Sequence, residues 1–515
     1  MRKICFFVIA FMILSLASAF AGGGGETETT ADGKIPLRML AAAEDHIPGW
    51  SDPDYRIYQE IAKAGNFDLE VVMVPWPTEY DTKLATLLVS GDLPDIMYMS
   101  TLTRGTDLLH DFGPQGLFLA FDDHFDKMPN FQKVMERHPE YYDKYRSPDG
   151  NHYAIPGGLY DIAAFFSGGL VIRGDILNQG GMEVEDIETI DDLYDALTIV
   201  KDITGKPPWG SRAMGNWMYQ AAPIFGTWYR AYYNGRSDSY QFGPFDENFE
   251  VFLEFMHKAY QDGLVYPDIA NMSDQDWEQS VMNDDTHFFI DNMMQPPRLT
   301  PKEAGETMSY FLPPLVNGVR YFGTRGGSPM ITGRFWTVNP ETKVLDNILE
   351  LFDWGYSEEG TELLVWGEEG VHFRWSEDRT YREWNVEEGE DFNSAANKLI
   401  DEHGLNNNQN LWVYPLDRFL AEQYGDYFPT AYKYYADNDV VMAHDPSIVF
   451  NESEFDSRMS LESAINTYVD ENVAKFILGR RPLSEYDDFK DELKELGAET
   501  LLANYQSAYK RYIGE

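Results

Sequence analysis

The sequence predicts an α/β fold built on a doubly wound sheet, and three observations carry that expectation. Apolar runs of strand length alternate with stretches whose apolar residues recur at helical spacing, glycine-containing turns separate them, and the order is strand, helix, strand, helix, strand. The first strand is expected over Ile35 to Ala42. Tyr55, Tyr58, Ile61 and Ala62 then share one helical face, and Gly65-Asn66 stops that helix. Leu69 to Val74 gives a second strand, Leu84, Leu87 and Leu88 mark a helix ending at Gly91, and Asp95 to Met99 gives a third strand. Strands joined by helices pair in parallel, and ligands of such sheets sit beyond the carboxyl ends of the strands. The loops Ala43 to Trp50, Trp76 to Tyr80 and Ser100 to Arg104 should therefore face a cleft, which makes Trp50, Trp76, Tyr80 and Thr101 candidate ligand-binding residues. The same strand-then-helix grammar returns later: Met330 to Val338 is strand-like, and Val344, Leu345, Ile348, Leu349 and Phe352 stripe a helix over Pro340 to Phe352. Near the C-terminus, Leu461, Ala464, Ile465, Tyr468, Val469, Val473, Phe476 and Ile477 form one apolar face. Ser484 is then expected to cap a helix that carries Tyr486, Phe489, Leu493 and Leu496 and stops at Gly497. No internal repeat recurs at a solenoid period.

The chain has 515 residues, 43% of them hydrophobic, which exceeds what one core of roughly 250–300 residues accommodates and predicts at least two domains. Acidic residues outnumber basic ones 86 to 40, for a formal charge of −46, and phosphate binding needs the opposite balance, so no nucleic-acid partner is expected. One cysteine, Cys5, excludes an internal disulfide and cysteine-based zinc sites. Met1-Arg2-Lys3, the apolar run Ile4 to Leu16 and the small-residue sites around Ala19 and Ala21 read as a secretory signal peptide over residues 1–21. A flexible leader follows over residues 22–34. Cys5 lies before the apolar run, whereas a lipidated cysteine stands at the cleavage site. The expected product is thus periplasmic or secreted, and not a lipoprotein.

Aromatic residues concentrate where helical spacing fails. Between Trp209 and Tyr233 lie Trp217, Tyr219, Phe225, Trp228, Tyr229 and Tyr232, interleaved with Gly, Asn, Arg and Pro. Sugars combine apolar C–H faces with polar edges, so a site for them needs flat aromatic platforms beside Asp, Asn, Gln and Arg. Trp217 and Trp228 are the platform candidates of this stretch, with Trp76, Trp336, Trp375 and Trp412 at loops or strand ends elsewhere. A buried tryptophan is more often packing than platform, so the excess argues better than any one member. No nucleophile elbow, metalloprotease motif, phosphate loop or dinucleotide fingerprint is present, and no catalytic residue, cofactor or metal ligand is assigned. A glycoside hydrolase needs only two carboxylates, which 86 acidic residues always supply, so it stands as the alternative together with a peptide-binding protein.

Several stretches resemble the extracellular solute-binding proteins of ABC transporters, in particular the large oligosaccharide-binding branch that includes alginate-binding and lipoprotein-A-like members. Tyr80-Asp81-Thr82-Lys83-Leu84 through Leu88-Val89-Ser90-Gly91-Asp92-Leu93-Pro94-Asp95-Ile96 is similar to the early signature of that family. Asp149-Gly150-Asn151-His152-Tyr153-Ala154-Ile155-Pro156 resembles its Asp-Gly-x-x-Tyr-Ala-Ile-Pro segment, and Ile172-Arg173-Gly174-Asp175-Ile176-Leu177 its Arg-x-Asp-Trp-Leu element, with Ile176 in the tryptophan position. Gly367-Glu368-Glu369-Gly370 and the closing helices around Lys475 to Gly479 and Tyr505 to Tyr512 follow in the same order. The resemblance implies two doubly wound lobes joined by crossover strands, of the periplasmic-binding-protein type II architecture. Lobe one would be 35–158 plus 312–372, and lobe two 159–311 plus 373–515. It further implies an oligosaccharide ligand held between the lobes, a membrane permease as partner and a monomeric receptor. Asp161 at a crossover and Asp291 and Asn292 after the run His287 to Ile290 become candidate hydroxyl partners. Calcium-binding members carry an Asp-rich loop where this chain has Lys201-Asp202-Ile203-Thr204-Gly205-Lys206-Pro207-Pro208, which offers one carboxylate, so no structural metal is expected.

Overall fold

The structure, a computed structural model, describes residues 29–43, 52–76, 78–100, 105–137, 146–157, 159–160, 169–293, 295–300, 307–322, 324–325, 330–331, 334–379, 382–385, 398, 402–405, 427–442, 446, 448 and 450–515. The proposed signal peptide and most of the leader lie outside them.

The first sheet begins with β1 (Ile35–Ala43) and β2 (Phe67–Pro75), paired in parallel along their whole length from Ile35 opposite Phe67 to Ala43 opposite Pro75. β3 (Ile96–Ser100) lies parallel on the other side of β1. Both faces of β1 are covered, which is why Met39, Leu40, Ala41 and Ala42 are all fully buried and the strand reads as a nearly unbroken apolar run. The crossover helices, Arg56–Ala64 and Thr78–Ser90, end at Asn66 and Gly91, whose φ angles of 52° and 72° reverse the chain. The sheet is completed from far along the sequence. β4 (Ile155–Pro156) follows β3 in the chain, but the two do not pair. β15 (Arg334–Val338) enters between them, antiparallel to both, and sets Trp336 opposite Tyr98 and Ile155.

The exits from this sheet form a ribbon of their own. β5 (Leu159–Tyr160) runs on from β4, β14 (Met330–Ile331) runs into β15, and the two pair antiparallel. The expected strand from Met330 to Val338 is therefore two strands in two different sheets. The second sheet comprises β6 (Leu170–Arg173), β9 (Phe288–Ile290) and β10 (Met308–Phe311) in the order β10-β6-β9, all antiparallel. Trp209 bridges from Phe288 to Val265 in parallel and widens it by backbone that is not regular strand. Between β6 and β9 the chain also forms the hairpin of β7 (Ala231–Asn234) and β8 (Ser239–Phe242), and later β13 (Thr324–Arg325) pairs in parallel with Val441–Met442.

Two later hairpins pack against segments distant from them in the chain. β11 (Leu315–Val316) and β12 (Val319–Arg320) are followed by Phe322, and the amides of Leu315 and Phe322 donate to the carbonyls of Glu188 and Pro223. β16 (Phe373–Trp375) and β17 (Arg382–Trp384) pack instead on the helix Glu358–Trp366, with Arg382 forked onto Glu362. The returning helix Leu345–Gly355 starts five residues later than the Pro340 the sequence suggests, because Asn339 to Thr342 form a hydrogen-bonded turn on Asp95. The expected cap at Ser484 is corrected as well. Leu483–Glu485 is a short 3-10 turn, and the helix starts at Tyr486 with no side-chain cap. Tyr486 is buried there and its hydroxyl donates to the Pro244 carbonyl, so packing rather than capping fixes the helix start. Among the described residues no helix is long and apolar enough to cross a membrane.

Candidate functional site

At the carboxyl end of the first sheet, four aromatic rings form a connected wall. Trp76 directly follows β2, and its amide donates to the Ala43 carbonyl at the end of β1. Its ring lies 5.8 Å from both Tyr80 and Tyr98, and Tyr98 meets Trp336 edge-on at 5.4 Å. These are the tilted and T-shaped geometries that aromatic quadrupoles favour. The Tyr80 hydroxyl donates to the Tyr98 carbonyl, and burial pushes its pKa well up, so it stays a neutral donor. Arg334, at the start of β15, donates from Nε to the Tyr98 hydroxyl at 2.8 Å. The turn from β3 into the helix Gly105–Phe112 needs glycine, because a Cβ at Gly105 would stand 2.5 Å from the Ser100 carbonyl oxygen.

A second cluster stands at the end of β9. Asp291 is 2% exposed, and Arg212 holds it as a fork, Nε to Oδ2 at 3.0 Å and Nη2 to Oδ1 at 2.6 Å. The Asn292 amide donates to the same carboxylate at 2.7 Å, and Asn216 Nδ2 approaches it at 3.4 Å. The guanidinium also lies 5.0 Å over the Trp277 ring. Burial works against the charge of Arg212, but Asp291, Asp274 and Glu278 outweigh it and raise its pKa. At the opposite edge of the same sheet, the Tyr435 hydroxyl accepts from the Leu170 amide and donates to the Phe311 carbonyl, tying β6 to β10.

These placements sort the sequence candidates. Trp50, Thr101, Asp161 and Trp412 lie outside the described residues. Trp76 and Asn292 are partly exposed at strand ends, and Tyr80 and Asp291 are buried behind them. Three platform candidates are buried. Trp336 is fully buried because β15 is an interior strand of the first sheet. Trp217 is 1% exposed with its ring edge-on to Trp209 at 5.3 Å. Trp228 is packed between Tyr219 and Tyr229, with the Gly243 backbone closed onto it. Trp375 is half-buried, but the guanidinium groups of Arg382 and Arg379 lie 3.9 and 5.0 Å from its ring centre, so cations already engage its π system. Sequence reasoning missed Tyr98, Arg212 and Asn216. A partner 79 residues away, as Asp291 is from Arg212, leaves no local pattern to read.

In the stretch Lys201 to Pro208 both lysines are already engaged. Lys201 Nζ donates to the Asp262 carbonyl at 2.6 Å, and Lys206 Nζ pairs with Asp285 at 2.6 Å. Two ammonium groups and the single carboxylate of Asp202 do not fit a divalent cation, which needs several oxygen ligands.

Comparison with known proteins adds the following. The family model of bacterial extracellular solute-binding proteins matches residues 49–362. The polygalacturonan/rhamnogalacturonan-binding protein YtcQ of Bacillus subtilis is 22% identical, over 98% of this chain and 98% of its own. Lipoprotein LipO of the same organism is 23% identical over 67% of this chain and 69% of its own. Among solved structures, the Streptococcus pneumoniae ABC-transporter substrate-binding protein FusA in complex with kestose superposes with a TM-score of 0.75 at 17% identity, covering 93% of this chain and 99% of that one.

Proposed function

The chain belongs to the family of bacterial extracellular solute-binding proteins, and from that membership we propose that it is the receptor of an ABC transporter that captures an oligosaccharide and delivers it to a membrane permease. The observation that carries this reading is the pairing of an aromatic wall at the ends of β1 to β3, with Trp76 partly exposed at its edge, and a forked Arg212–Asp291 group at the end of β9. One supplies a flat apolar face and the other fixed hydrogen-bonding groups, the combination a sugar ring requires. Support also comes from YtcQ and FusA, whose names give them polygalacturonan, rhamnogalacturonan and fructooligosaccharides.

The mechanism needs no covalent step. Two lobes joined by the β5–β14 ribbon close on the ligand, and the ligand shifts the population toward the closed form by binding it more tightly than the open one. The lobes are proposed as 35–158 with 312–372 and 159–311 with 373–515, with the segments 315–322 and β16–β17 leaning across that boundary. The receptor is further proposed to act as a monomer, to bind no nucleic acid and to be exported without a lipid anchor.

Calorimetry of the purified chain with fructooligosaccharides and oligogalacturonides, followed by chromatography of the recovered sugar, tests the reading. Stoichiometric binding with intact sugar is expected. Shortened products support the hydrolase, and binding of peptides alone supports the peptide receptor. Intact-mass measurement of the exported form should place its first residue at or near Gly22, and an acylated cysteine would contradict the export reading.

A further inference from the structure

We infer that the receptor has a second carbohydrate pocket, outside the cleft between the lobes, that takes a single ring of a neutral sugar. The inference rests on the carbohydrate reading above and deepens it. The pocket lies along the outer edge of β10, on the opposite edge of the second sheet from β9 and the Arg212–Asp291 group. Its volume of about 530 Å³ falls within the range of sites that enclose small ligands. It is a built concavity. The Met308 carbonyl at its base is tied down by the Tyr427 hydroxyl at 3.0 Å, and the backbone turns away at Gly174, where a Cβ would stand 2.4 Å from Ser309 Oγ.

The wall chemistry selects the ligand. Tyr310 and Tyr434 stand 5.5 Å apart at 58° and present two half-buried phenol rings. The rest of the polar lining is the half-buried Arg320 and, exposed at the rim, Asn178, Glu183, Glu185 and Glu188. Arg320 Nη1 is fixed to the Pro313 carbonyl at 2.5 Å, which holds the guanidinium in place. Neither the Glu185 nor the Glu188 carboxylate has a hydrogen-bond or ion-pair partner among the described residues. An anionic sugar would meet these carboxylates. A neutral sugar avoids that conflict, and each of its hydroxyls both donates and accepts: it donates to Glu185 and Glu188, accepts from Arg320 and Asn178, and lays its C–H face on a tyrosine. Burial and the neighbouring Glu185 raise the pKa of Tyr434, so its phenol remains an additional donor at neutral pH.

Such a pocket gives a long ligand a second foothold on the same molecule, and two linked contacts retain it better than either alone. Equilibrium dialysis of the full mature chain against labelled kestose, labelled maltotriose and labelled digalacturonate tests this. The expected result is a saturable weak site for the neutral probes that Tyr434→Ala weakens about tenfold or more, the scale of losing an aromatic anchor. Glu188→Lys at the exposed rim should weaken the same site, with an unchanged melting temperature showing that the fold is intact. Digalacturonate should not occupy it. If the neutral probes show no site sensitive to either substitution, or if digalacturonate fills it equally well, the pocket is not a neutral-sugar site, and the cleft reading stands on its own titration. Absence of binding by every saccharide at every site overturns both.

Discussion

Trp76 and Trp336 both touch the ring of Tyr98, yet truncating them should have opposite consequences. Trp336 is fully buried in an interior strand, so Trp336→Ala leaves a large cavity and should cost about 3–5 kcal/mol of stability with or without ligand. Trp76 is partly exposed at a strand end, and Trp76→Ala should leave the urea midpoint nearly in place while weakening sugar binding about tenfold or more. Equal destabilisation by both, with binding untouched, would remove Trp76 from the site. Asp246 offers a second test at this scale. It accepts from Thr227 and Tyr232, both at 2.8 Å, but burial raises its pKa to about 6. The folded protein therefore holds this proton more tightly than the unfolded chain does. The resulting stability is fully present below about pH 4 and is lost as pH rises through about 6, a change on the order of 3 kcal/mol. Asp246→Asn should flatten that part of the pH–stability curve measured by urea unfolding, and an unchanged slope would show that Asp246 does not titrate there.

At the scale of elements, Asp353 fastens the returning helix Leu345–Gly355 to the helix Pro129–Arg137. Asp353 accepts from the Asn130 and Phe131 amides at 2.7 and 3.0 Å and from Asn130 Nδ2 at 2.9 Å, so it caps the helix Pro129–Arg137 from 223 residues away. Asp353→Ala leaves those amides buried without an acceptor and should cost about 1–3 kcal/mol, read as a lower urea midpoint. Asp353→Asn keeps an oxygen there and should recover part of that loss. If both substitutions leave the midpoint where it was, the cap contributes nothing. This tether also marks the limit of what the sequence discloses. The strands β1 to β3 and their helices were legible because each buries its own local apolar pattern. The insertion of β15 between β3 and β4 was not, since nothing near Trp336 records which strands will flank it. Hence a tryptophan at an apparent strand end proved to be core. The packing of the aromatic stretch from Trp209 to Tyr233 was hidden for a related reason: its rings lie on one another and on Phe255 and Phe288, contacts that loop-like spacing conceals.

For the whole molecule, the dominant unbalanced quantity is charge. With 86 acidic and 40 basic residues the chain repels itself, and the compact state concentrates that repulsion more than the unfolded one. Ion pairs oppose this locally. Arg173 bridges Asp175 and Asp284, and the buried Arg481 joins Glu492 and Glu485, but the carboxylates of these pairs stand open to water, where an ion pair is worth only about 0–1 kcal/mol. Salt weakens both kinds of interaction once the screening length falls to about 8 Å at physiological ionic strength. With 86 acidic residues against 40 basic ones, full pairing of every cation would still leave an excess of carboxylates, so the repulsion outlasts the local attractions and the melting temperature should rise between 10 mM and 500 mM NaCl. The rise should be the same in KCl, because screening does not distinguish the cations. Calcium separates screening from site binding. A ligand at 100 times its dissociation constant adds about 2.7 kcal/mol, so a micromolar site would lift the melting temperature at 100 µM CaCl2. With Lys201 and Lys206 occupying the loop and Asp202 its single carboxylate, no such lift is expected, and CaCl2 should act only in proportion to ionic strength. A melting temperature that falls with NaCl would mean that the ion pairs outweigh the repulsion, and a jump at 100 µM CaCl2 would restore a divalent site that the donor set of this loop argues against.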